Sequence, residues 1–109
     1  MTKIDFDAEA REQIFAIQDY IAHELESPRA ALKKVREIIQ AIRLLETFPD
    51  SGNLLTNIYE NVHPDLRHHR RIIVGNYIVI YLYLKQENKI YIQSVYDRRT
   101  DYLSRIGKA

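Results

Sequence analysis

Arg67, His68, His69, Arg70 and Arg71 form an unbroken run, and a second basic and aromatic cluster, Tyr96-Asp97-Arg98-Arg99-Thr100-Asp101-Tyr102, lies near the chain's end. These residue types handle phosphate. Guanidinium groups grip phosphate oxygens and stabilise charge that develops on them, while histidine or tyrosine moves protons. If strand pairing placed the two clusters side by side, Arg70, Arg71, Arg98, His68 and Tyr96 would surround one phosphodiester. Plainer roles compete. The first run would also serve as a charged edge strand protected against aggregation, and Asp97 and Asp101 would pair with the neighbouring arginines. Sequence alone does not give the register that decides between these readings.

Alternation along a strand places His69 and Arg71 on one face and His68 and Arg70 on the other. One of the two arginines must then reach past the core, which its long apolar stem allows. The same alternation argues against a metal centre, because adjacent histidines project to opposite faces and no HExxH spacing is present. There is no cysteine, hence neither a disulfide framework nor a thiolate site. His23 falls on a predicted helix as a surface residue. Of the eight tyrosines, Tyr77, Tyr81, Tyr83 and Tyr91 suit a sheet core with hydroxyls at its margin.

The elements that must hold these clusters follow from periodicity. Residues 2–6 suit a short first strand. From Asp7, with Asp5 or Asp7 as cap, Ala10, Ile14, Ile17, Ile21 and Leu25 recur at helical spacing. Ser27-Pro28 breaks and restarts the helix, with Ser27 as N-cap. Ala31, Val35, Ile38, Ile42 and Leu45 continue the pattern, widened by Leu32 and Ile39, to an end near Phe48. So short a break predicts an antiparallel helical hairpin. Residues 51–66 have no clear period and read as a long loop with a short strand between Leu54 and Tyr59. Strands are predicted at His69–Val74, Tyr77–Leu84 and Ile90–Tyr96, separated by Gly75-Asn76 and Gln86-Glu87-Asn88. YIVIYLYL, residues 77–84, is apolar on both faces. It suits a central strand with helices on one side and tail or loop on the other. The tail from Asp97 reads as a short helix or an extended end.

The result is an α+β fold of order β-α-α-β-β-β, a helical hairpin on a small antiparallel sheet, with residues 1–109 as a single domain. No apolar run is long enough to span a bilayer and no signal-peptide core is visible, so a cytoplasmic protein without a membrane partner is expected. Charge is unevenly spread. Residues 1–50 carry seven Lys/Arg against ten Asp/Glu, and residues 51–109 carry nine against five. The cationic half holds the predicted sheet, so a local patch there would attract phosphate or an acidic partner.

The two-helix N-terminal half, FPDSG at residues 48–52, RRIIVGNYIVIY at 70–81 and IQSVYDRRTDYL at 92–103 together resemble the RelE/ParE superfamily of bacterial toxins from type II toxin–antitoxin modules. The resemblance implies the compact toxin fold and a cognate antitoxin whose flexible segment wraps and neutralises the toxin. It also implies one of two targets. RelE-like members cleave mRNA on the ribosome, and ParE-like members poison DNA gyrase without known nuclease activity. RelE-like members usually carry a cation right after the aromatic residue of the central strand, where this chain has Ile78. Arg98 matches the arginine at the end of the final strand, and Arg70 and Arg71 match the basic strand start of both branches. The catalytic tyrosine has no clean match, though Tyr102 lies nearby. Arg98-Arg99-x-Asp101 looks closer to ParE-like members.

A growth-arresting gyrase inhibitor is therefore the expectation, with Arg67, Arg70, Arg71, Arg98 and Arg99 as the target-binding or phosphate-binding set. The alternative is a ribosome-dependent endoribonuclease, the only one of the two that is an enzyme. There a 2′-hydroxyl would attack the phosphate with His68 or His69 as base, Arg70, Arg71 and Arg98 on the charge, and Tyr96 or Tyr102 as proton donor. Neither reading calls for a cofactor or a metal.

Overall fold

The computed structural model describes residues 1–106. Strand β1 (Lys3–Phe6) leads into α1 (Ala8–Asp19), and α2 (Pro28–Arg43) follows. Asp7 caps α1 by accepting from the Glu9 N–H, and Ser27 caps α2 by accepting from the Ala30 N–H with Pro28 in the first turn. Each cap contributes about 1 kcal/mol by satisfying an otherwise orphaned amide. Between the helices, Tyr20–Glu24 widens into a π-helical turn and Glu26 takes a positive φ of 50°. That turn breaks the predicted stripe: Leu25, expected in the core, is exposed. Leu32 is also exposed, so the α2 stripe is narrower than expected.

The remaining strands are β2 (Asn53–Leu54), β3 (Arg70–Val74), β4 (Tyr77–Leu84) and β5 (Lys89–Asp97), before a one-turn helix α3 (Leu103–Ile106). The predicted strand at 54–59 is only the two residues of β2, followed by a 3-10 turn at Leu55–Asn57. The sheet order is β1-β5-β4-β3-β2. The α+β class and the β3-β4-β5 meander stand as expected, but the sheet is mixed. β1 runs parallel to β5, with Ile4 opposite Ile90. The whole chain between them serves as the crossover that a parallel pair requires. The single-domain reading of residues 1–109 reaches over 107–109, which lie outside the described residues.

Both faces of β4 are buried. On the helical side Tyr77, Val79 and Tyr81 pack with Ile14, Ile38, Ile42 and Leu45. Burying each such aliphatic side chain is worth about 1.5–3 kcal/mol. On the other side Ile78 and Ile80 lie under Leu55 and Ile106, with Tyr59, Leu66, Tyr96 and Tyr102 around them. This second cover, made by the 51–66 loop and the chain end, is the one the apolar run of β4 demanded. A bulge sets the register of β5: Ile80 faces Ser94, Tyr81 faces Ile92, and Gln93 is the extra residue. Ile92 and Val95, three apart, thereby both join the helical-side core.

Candidate functional site

Alternation in β3 sends the two arginines to opposite faces. Arg71 is registered with Ile80 and Arg70 with Tyr81. Arg70 reaches over the sheet edge, where its Nη1 donates to the Gly52 carbonyl at 2.7 Å and the Asp50 carbonyl at 3.2 Å. The Gly52 N–H in turn donates to the buried Tyr81 hydroxyl at 2.9 Å. The FPDSG segment is thus a clasp that fixes the Arg70 guanidinium onto backbone oxygens.

Arg71 turns to the face opposite the helices. Its Nη1 donates to the Tyr59 hydroxyl at 2.8 Å, and its guanidinium carbon lies 5.4 Å from the Tyr59 ring centroid. The Tyr59 hydroxyl is 3.5 Å from that of Tyr102. Tyr102 stacks on Tyr96 with centroids 6.2 Å apart and planes at 22°. Burial, then the Tyr102 hydroxyl, pushes the Tyr59 phenol upward, so Tyr59 holds its proton at neutral pH. Three of the expected residues, Arg71, Tyr96 and Tyr102, therefore meet on one surface, joined through Tyr59.

Beside them His69 lines a cleft of about 310 Å³ with Ile80, Gln93, Ser94, Tyr96 and Ile106. The Arg105–Glu9 ion pair, 3.6 Å long, stands at its mouth. His69 is only 6% exposed, and neither ring nitrogen has a hydrogen-bond partner among the described residues. Gln93 favours the charged imidazole slightly, yet makes no well-formed bond to it. Burial dominates, aided by repulsion from His68, and lowers the His69 pKa. His69 is a neutral imidazole at pH 7. His68, expected on the other face, is exposed.

The second basic cluster sits elsewhere. The Arg99 Nε and Nη2 grip the two Asp97 carboxylate oxygens at 3.0 and 2.8 Å. This fork holds Asp97 below the usual carboxylate range and raises Arg99. The Arg98 N–H donates to the Asn76 carbonyl at 2.7 Å, which ties the segment to the β3–β4 turn. Lys34 of α2 reaches the same turn, its Nζ 3.2 Å from where a Cβ on Gly75 would stand. The Arg67 and Arg98 side chains are exposed, with neither ion-pair nor hydrogen-bond partners among the described residues. Asp101, expected in the ion-pair network, makes no ion pair among them.

The register decides the question of convergence. Arg70 is opposite Tyr81, whereas Tyr77 is opposite Asp97 and Arg98 bonds to Asn76. Five residues of β4 thus separate the levels of the two arginine clusters, about 16 Å at strand rise. The guanidiniums are turned to separate partners at those levels, Arg70 to the Gly52 and Asp50 carbonyls, Arg71 to the Tyr59 hydroxyl and Arg99 to the Asp97 carboxylate. The sequence reading missed Tyr59, Gln93 and Lys34. Tyr59 lies in an aperiodic loop, and Gln93 owes its place to a bulge with no glycine to mark it. Lys34 showed only as one charge on a helix. No metal-binding group of three or more His, Asp or Glu occurs among the described residues, and none of their helices is long and apolar enough to cross a membrane.

A helical hairpin on a five-stranded mixed sheet is the fold of the RelE/ParE toxins. Residues 4–102 match the family described as the ParE toxin of the type II toxin–antitoxin system, parDE, and the chain belongs to that family. Among solved structures, the toxin of a chromosomal ParDE system from P. aeruginosa superposes with a TM-score of 0.64 at 17% identity, covering 89% of this chain and 96% of that one. The RelBE2 toxin–antitoxin complex from Mycobacterium tuberculosis gives a TM-score of 0.55 at 16% identity, over 89% and 98%. The intact E. coli RelBE complex gives 0.53 at 13%, over 92% and 100%. No curated protein sequence matches the chain.

Proposed function

We propose that this toxin acts in the cytoplasm as one domain that arrests growth by binding and inhibiting DNA gyrase, and that a cognate antitoxin neutralises it. Its family is the ParE one, and structures of the same fold come from toxin–antitoxin systems. The observation that carries a binding mode over chemistry is the separation of the two arginine clusters along β4. Phosphodiester cleavage without metal needs a base, an acid and cations around one phosphate. On the face where Arg71, Tyr96 and Tyr102 meet, Ile78 is fully buried in the position where a nuclease of the related branch would place a cation. Arg71 is occupied by Tyr59, and Arg70 and Arg99 are held by Gly52 and Asp97. Of the five candidate target-binding cations, Arg67 and Arg98 are without a side-chain partner among the described residues and can engage a target.

Tightly controlled expression tests this reading. DNA breaks with intact translated mRNA are expected in arrested cells, and Arg98→Ala should weaken the arrest. Cleaved mRNA that His68→Ala and His69→Ala changes abolish would replace this reading with the endoribonuclease one.

A further inference from the structure

A further positive surface lies on α2, in the half of the chain whose net charge is negative. Arg29, Lys33, Arg36, Gln40 and Arg43 are all exposed, at successive spacings of four, three, four and three residues. That spacing keeps them on one face of a helix. From Arg29 to Arg43 the stripe is about 21 Å long at helical rise. Arg29, Lys33 and Arg36 have no ion-pair partner among the described residues. Arg43 lies 3.9 Å from Glu46, and Glu37, the one acid of α2, is engaged by Lys34 at 3.5 Å. A shallow groove of about 340 Å³ runs along Arg29, Leu32, Lys33, Arg36, Glu37 and Gln40.

We propose that this face of α2 binds the phosphate backbone of duplex DNA, independently of sequence and of the gyrase reading above. A row of unpaired cations without a central apolar anchor is unlike a protein-binding patch. Such patches are built around a buried core of aromatic and apolar residues from which charge is depleted. Here the one apolar side chain at the groove is Leu32. The face carries no aromatic residue on which single-stranded bases would stack. A helix fits against B-form DNA, whose major groove admits one, better than against A-form RNA, whose major groove is too narrow. Glu12 and Asp19, exposed on α1, confine the contact to α2.

Three free cations predict a salt dependence of log K on log salt with slope about −3, so binding weakens roughly 40-fold between 50 and 200 mM salt. The test is titration of the whole protein with a short duplex DNA of arbitrary sequence across that range. Lys33→Gln/Arg36→Gln should bring the slope to about −1. The charge-matched control Lys3→Gln/Lys85→Gln, on exposed cations elsewhere, should leave it near −3. Circular dichroism confirms the fold of each variant. No binding of wild-type protein at 50 mM salt overturns the proposal, as does equal weakening by both pairs. Equal affinity for duplex RNA or polyglutamate would show a generic polyanion surface and overturn the assignment to DNA. Any of these failures leaves the gyrase reading standing.

Discussion

Replacing Gly52 by alanine should unfold the clasp that holds Arg70. A Cβ at this position would stand 2.6 Å from the Arg71 carbonyl oxygen, 2.6 Å from the Tyr81 hydroxyl and 2.8 Å from the Tyr81 ring. All three lie inside van der Waals contact. The first is backbone of β3, a strand held between β2 and β4 with Arg71 opposite Asn53 and Ile80, and the others belong to a fully buried side chain, so none can swing aside. Gly52 does not have a positive φ, and the cost is steric. Overpacking of this kind costs about 1–3 kcal/mol. Displacing the Gly52 N–H from the Tyr81 hydroxyl adds about 1 kcal/mol more. For a domain of this size, a total of about 2–4 kcal/mol corresponds to a Tm lower by roughly 10–20 °C. Urea denaturation beside Thr56→Ala, an exposed change in the same loop, gives the comparison, since such surface changes stay within about 0.5 kcal/mol. A Gly52→Ala protein as stable as Thr56→Ala would refute the clasp.

His69→Leu should leave stability at pH 7 unchanged or raise it by up to about 1 kcal/mol, because it removes two buried nitrogens without partners. The same variant should be less sensitive to acid. The folded-state pKa of His69 is lowered from 6.5, so the unfolded chain binds more protons and wild-type stability falls as pH drops below about 6.5. Urea midpoints at pH 7.5 and 5.5 check both statements, and an identical acid response in the two proteins would contradict them. Tyr59→Phe removes the hydroxyl that accepts from Arg71 and should cost about 0.5–1.5 kcal/mol. Growth arrest should survive that change; loss of arrest at unchanged protein level would mean that the hydroxyl takes part in the toxic act.

Much of the fold was legible because its signals are local. The apolar periods of α1 and α2, the caps at Asp7 and Ser27, and the doubly apolar β4 each follow from neighbours in sequence. What was not legible depends on long-range pairing. β1 pairs parallel with β5 across most of the chain, and nothing in residues 3–6 encodes the partner. The bulge at Gln93 and the register that parts Arg70 from Arg98 are settled by packing on both sheet faces. The site was half visible for the same reason: strand alternation correctly split Arg70 from Arg71, but the 51–66 loop supplied Tyr59 without a periodic signal. Counting charge by halves also hid the cationic face of α2 behind the acids of α1.

The most direct measurement is a supercoiling assay with purified gyrase, relaxed plasmid and this toxin, run beside a ribosome programmed with translated mRNA. The binding account predicts that supercoiling falls with toxin dose while the message stays whole. Undiminished supercoiling at excess toxin, with mRNA cut on the ribosome, would contradict it.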